Sequence, residues 1–205
     1  MNRQTVSNVA MFLFLVGTGV ALRLACQSIP NFAPVAAVAL FAGYYFGGTG
    51  IRAAGAWAVA VPLSIMVITD WFIGGYDLRL MVVVYGMLAL PVALRGYART
   101  YFSLRQKSIA STARSFFGLA FCGVLSSLLF FVVTNFAVWV VYGSHEYSIS
   151  GLTQCYVRAL PFFRATLAGD VFFSVALFGG YAVYLQTRNS WQTGDEAQTQ
   201  LVVSE

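Results

Sequence analysis

Charge is what this chain has least of: aspartate, glutamate, lysine and arginine together make up 9% of its 205 residues. A soluble domain carries about 25%, so a water-exposed globular fold is excluded. Histidine is nearly absent too, with His145 standing alone and no HExxH sequence, which leaves no zinc-peptidase set. There is no GxxxxGK[ST] loop to cradle ATP phosphates, and Gly47-Gly48-Thr49-Gly50 has no lysine after it. Ser144, beside His145, has no orienting acid or oxyanion motif. Without a nucleophile, a metal set or a cofactor motif, the expectation is a protein that is not an enzyme and holds no cofactor and no metal.

What is present is hydrocarbon: 59% hydrophobic residues and a mean hydropathy of +0.75. Crossing a ~30 Å apolar layer takes roughly 20 helical residues. Six stretches qualify, at 9–25, 33–46, 53–73, 80–94, 115–141 and 162–185. The fold class expected is an all-α integral membrane protein with one domain of six transmembrane helices over residues 1–185. Residues 186–205 are polar, lack apolar periodicity and read as a disordered tail. Pro161 suits the first helical position of the last span, where its missing N–H is harmless. Residues 1–26 have the basic start and apolar centre of a signal peptide. Arg23 interrupts that pattern, and Arg23-Leu24-Ala25-Cys26 lacks the leucine a lipobox requires, so the segment reads as a retained first helix.

The net charge of +5 follows topology rather than one soluble face, so no nucleic-acid partner is expected. Arg95, Arg99, Arg105, Lys107 and Arg114 share one acid-free segment; placing it in the cytoplasm puts Arg3, Arg52 and Arg188 there as well, eight of twelve basic residues. Both termini are then cytoplasmic, in a bacterial inner (plasma) membrane. Trp71, Tyr76, Trp139, Tyr142, Tyr147 and Tyr156 would ring the outer boundary. On the outer side, residues 142–158 form a connection long enough to act as a lid, or simply as a surface loop.

The few polar groups inside the spans then carry the functional signal. Arg23, Asp70, Asn135, Arg164 and Asp170 all fall toward the same, outer side when the six stretches alternate in direction. A charge in hydrocarbon costs at least about 2.5–3.5 kcal/mol, which marks such residues as a polar pocket or pathway. Counted from Pro161, Asp170 lies about 13 Å along its helix, near the midplane. Its partner is expected to be Arg23 or Arg164, either as an ion pair pinning helices one and six or as part of a ligand site.

Gly17, Ala21 and Ala25 are spaced by four and make a small-residue face, suited to packing within the bundle or to docking of a partner subunit. Cys26 and Cys155 both fall on the outer side and could pair there, whereas Cys122 lies within a span.

Pro30-Asn31-Phe32-Ala33-Pro34-Val35, Phe41-Ala42-Gly43-Tyr44-Tyr45-Phe46-Gly47 and Thr69-Asp70 resemble the front half of energy-coupling factor (ECF) transporter S-components. The back half, with Thr134-Asn135-Phe136, Cys155-Tyr156, Pro161-Phe162-Phe163-Arg164 and Gly169-Asp170, is similar to an uncharacterised bacterial membrane family of that type. The resemblance implies an S-component-like bundle that captures a vitamin-like micronutrient from outside, under the outer loops. It implies a membrane scaffold subunit and an ATPase pair as partners, with docking through helix one at Gly17, Ala21 and Ala25. The ligand set expected is Arg23, Asn31, Asp70, Asn135, Trp139, Arg164 and Asp170. An autonomous secondary or proton-coupled transporter, or a structural protein whose charges only pin helices, would use the same charges.

Overall fold

The computed structural model describes residues 3–50, 53–94, 96–97, 99, 109–143 and 146–203. Among the described residues there are six α-helices and no strand. They are α1 (Arg3–Ala25), α2 (Val35–Gly47), α3 (Ala54–Ile73), α4 (Leu78–Ala89), α5 (Ile109–Tyr142) and α6 (Ile149–Val203). Four stretches are long and apolar enough to cross a membrane: Arg3–Ala25, Ala54–Ile73, Phe121–Tyr142 and Ile149–Arg188. The protein is a helical bundle of membrane type.

The centre is α2. Nine of its 13 residues are buried, because it is apolar on every side and packs against each of the other five helices. At 1.5 Å per residue it is only about 20 Å long. Irregular backbone at 26–34 precedes it, closed by turns such as Ile29 N–H to Cys26 O at 2.9 Å and Phe32 N–H to Ile29 O at 3.2 Å. Asn31 takes a left-handed φ of 61° there, a conformation asparagine tolerates better than most side chains. This irregular stretch lines a cavity.

In lipid, helices associate through close packing rather than through the hydrophobic effect. The tightest approach of α1 to α3 is at Gly19, where an added Cβ would sit 2.3 Å from Ile65 Cδ1. Of the two roles open to the small-residue stripe, packing inside the bundle is not the one observed. Gly17, Ala21 and Ala25 are exposed, and a Cβ on Gly17 would meet nothing within 4 Å. Register explains this, since Leu15, Val16 and Gly19 hold the buried face of α1.

At Pro91 the fourth helix tightens into a 3-10 turn over Leu90–Leu94, as follows from the missing proline N–H. The last helix differs most from the sequence reading. It begins at Ile149, so Pro161 lies inside it and the connection after α5 shrinks to 143–148. It also continues to Val203, across the tail read as disordered. Extending an existing helix avoids the nucleation step that a free segment faces, and Gln occurs four times there. Arg52, Arg95, Arg105, Lys107, Ser144 and His145 lie outside the described residues.

Candidate ligand site

The C-terminal ends of α1 and α3 and the N-terminal end of α4 meet at one end of the bundle. Arg23, in the last turn of α1, reaches across to α3. Its Nη1 donates to Asp70 Oδ1 at 2.7 Å and also to Thr69 Oγ1. Thr69 in turn donates to the Ile65 carbonyl at 2.7 Å, and Tyr85 of α4 donates its hydroxyl to Asp70 Oδ2 at 2.7 Å. Both carboxylate oxygens of Asp70 are thus used, one by a cation and one by a phenol. The side chains of Arg23 and Asp70 are 18% and 5% exposed, so this is a buried pair. Tyr76, in the 74–77 connection, has its phenol pushed up to about 12, first by burial and then by the negative charge of Asp70.

The second carboxylate is held quite differently. Asp170 of α6 is 3% exposed, and Ser127 Oγ of α5 donates to its Oδ2 at 2.5 Å. No cation reaches it among the described residues. The expected bridge between the first and last helices does not form, because α1 packs only on α2 and α3 and Arg23 is taken by Asp70. Arg164 does not supply the charge either; it sits exposed on α6, nearly two turns away from Asp170. Ser126 and Ser174 flank the carboxylate in sequence register, and their buried hydroxyls have no hydrogen-bond partner.

Between these two polar groups lies a cavity of about 470 Å³. Residues 26–36, the ends of α3 and α4, and the facing turns of α5 and α6 form its wall. Of the expected ligand residues, Arg23, Asn31, Asn135 and Asp170 line it. Asp70 stands behind Arg23. Trp139 and Arg164 are outside the lining. The Trp139 indole instead donates to the Glu146 carbonyl at 3.2 Å and packs on Tyr147 with centroids 5.3 Å apart, fastening the 143–148 connection. Asn135 turns its amide back to the Phe131 carbonyl at 2.7 Å.

Much of the rest of the wall is aromatic, with Phe131 and Phe163 packed at 4.8 Å and Phe32 packed against Phe173 at 5.4 Å. Gly169 permits that last approach, since a Cβ there would stand 3.3 Å from the Phe32 ring. Residues 3–193 match the model of a family of unknown function, DUF6580. The chain belongs to that family. No curated protein and no solved structure matches it.

Three polar groups of this DUF6580 member escaped the sequence reading: Ser126, Ser127 and Tyr85. The available signal for the serines was a Ser-Ser pair in the middle of an apolar span, seven residues before Thr134 and therefore on a shared face with it. Tyr85 carried no signal, because a lone tyrosine in a span looks like any interfacial aromatic. The three cysteines are free; the Cys155 thiol donates to the Asn135 carbonyl at 3.6 Å.

Proposed function

We propose that this protein is the substrate-binding membrane subunit of a micronutrient uptake transporter, capturing a small vitamin-like ligand from outside the cell. One observation carries the reading. A cavity of about 470 Å³ opens onto a buried carboxylate, Asp170, that has no cation partner among the described residues. Ligand sites are concave, mostly apolar and roughly 300–1,000 Å³ in volume, with a few convergent polar groups. A purely structural bundle has no use for such a void, since packing is what holds helices together in lipid.

In this reading all six helices cross the inner membrane, both termini are cytoplasmic and the cavity end faces outward. The chain binds and does not catalyse. Energy comes from a membrane scaffold and an ATPase pair, and the exposed Gly17, Ala21 and Ala25 face of α1 leaves room for the scaffold. The test is native mass spectrometry of the gently extracted protein with its co-purifying partners. A bound small molecule that is lost in Asp170→Asn, together with co-eluting ATPases, is the expected result. A bare polypeptide whose mutant is merely less stable would sink the proposal.

A second reading rests on the same carboxylate. An intramembrane acid without a cation also suits a proton-coupled carrier. Uptake by the chain alone in proteoliposomes, driven by a pH gradient, distinguishes it from a binding subunit.

A further inference from the structure

The charge balance around the cavity is uneven. Arg23 borders it, but its charge is matched by Asp70 at 2.7 Å. Asp170 borders it from the other side and is matched by nothing charged among the described residues. A buried carboxylate is held by paired charge or by a full set of hydrogen bonds. It can accept about four, and Asp170 receives one, from Ser127. Ser126 Oγ, on the cavity wall, is buried with no partner. The two ends of the cavity therefore differ in charge: the Arg23 end is balanced by Asp70, and among the described residues the Asp170 end has no positive charge and a single donor.

Resting on the reading of this cavity as a ligand site, we propose that its ligand is a small organic cation, with a protonated amine or amidine on Asp170 and Ser126 and an apolar, planar body on the phenylalanines. An ammonium brings three donors, which matches an open carboxylate oxygen and an orphan hydroxyl. Phe32 lies against Gly169, the residue before Asp170, and lines the same cavity, so an aromatic ring is available to an organic cation there. Phe131 and Phe163 supply the apolar wall further out. A bare metal ion suits the site poorly. The space is far larger than an ion, and among the described residues no group of three or more His, Cys, Asp or Glu side chains is close enough to share one. An anionic ligand would face Asp170, with Arg23, the one basic residue lining the cavity among the described residues, already paired with Asp70.

The test uses probes matched in body and opposite in charge, tryptamine against indole-3-propionate and benzylammonium against benzoate. They are titrated calorimetrically into the full chain in lipid nanodiscs, and native mass spectrometry reads the charge of any co-purified molecule. The ammonium member of each pair is expected to bind more tightly, with Asp170→Asn lowering its affinity about ten- to hundredfold. Asparagine keeps the side-chain shape and an acceptor for Ser127, and the wild-type preference between paired probes needs no variant at all.

Carboxylates binding as well as ammoniums, or a preference that survives Asp170→Asn, would overturn the cation assignment while leaving the cavity a ligand site. So would a co-purified neutral or anionic molecule that depends on Asp170. Thermal stabilisation by sodium chloride over choline chloride, lost in Asp170→Asn and without ammonium binding, would assign the carboxylate to a metal ion instead. No probe bound and no molecule co-purified would remove the ligand site itself, and the cation with it.

Discussion

Removing the Arg23 charge isolates what the buried pair does. At 2.7 Å and an effective dielectric of about 20, Arg23 and Asp70 attract by about 6 kcal/mol. Desolvating two ions costs several kcal/mol each, so the intact pair contributes little net stability. Breaking one side is another matter. In Arg23→Met, Asp70 is left 5% exposed with a single phenol donor from Tyr85, and the loss expected is about 3–5 kcal/mol. Thr69 adds nothing to that loss, because its hydroxyl still donates to Ile65. Asp70→Asn should cost less, since Arg23 borders the cavity and keeps access to water there. The double variant Arg23→Met/Asp70→Asn buries no charge and is expected to be more stable than Arg23→Met alone. Reversible unfolding by SDS in mixed micelles, followed by circular dichroism, gives all three values. If the double variant loses the sum of the single losses to within about 0.5 kcal/mol, the two side chains are not coupled and the pair is wrongly described.

Other perturbations follow from the same contacts. Gly19→Ala should cost about 1–3 kcal/mol by overpacking Ile65, whereas Gly17→Ala should stay within about 0.5 kcal/mol; equal effects in the SDS assay would refute the packing of α1. Ser127→Ala removes the one hydrogen bond that Asp170 receives among the described residues and is expected to destabilise by about 1–3 kcal/mol, a loss that Asp170→Asn should shrink if the two residues are coupled. Tyr76 has its phenol raised from 10.0 to about 12, so folding favours the protonated form. Its contribution is complete below pH 10 and is lost as the pH rises through about 12, so wild type should lose stability relative to Tyr76→Phe across that window. A flat difference between the two proteins would argue that Tyr76 is exposed. Reporter fusions at either end should both report the cytoplasm; opposite sides would break the six-span topology.

Membrane class and helix content were written in the sequence itself, because a shortage of charge and long apolar runs admit few alternatives. Five of the six helices end within a few residues of the apolar runs that announced them; α6 instead runs far past its span at both ends. Apolar runs mark the buried stretch of a helix and not its full length, which is why the start of α6 and its extension to Val203 do not show in them. The sequence also showed that Arg23, Asp70 and Asp170 were costly and lay toward one end. It could not show their pairing. Residues 47 apart meet in one ion pair only because α1 packs on α3, while α1 and α6 do not pack together among the described residues. Whether a small-residue stripe faces inward likewise depends on which side of α1 the neighbour occupies, and the neighbour meets Gly19. The cavity is the most purely tertiary feature of all. It exists because the chain before α2 is irregular at 26–34 and that segment, together with turns from α3, α4, α5 and α6, encloses the space. Hydrophobicity is a local property and was read locally; the uncompensated carboxylate arose only when packing decided which charge each cation could reach.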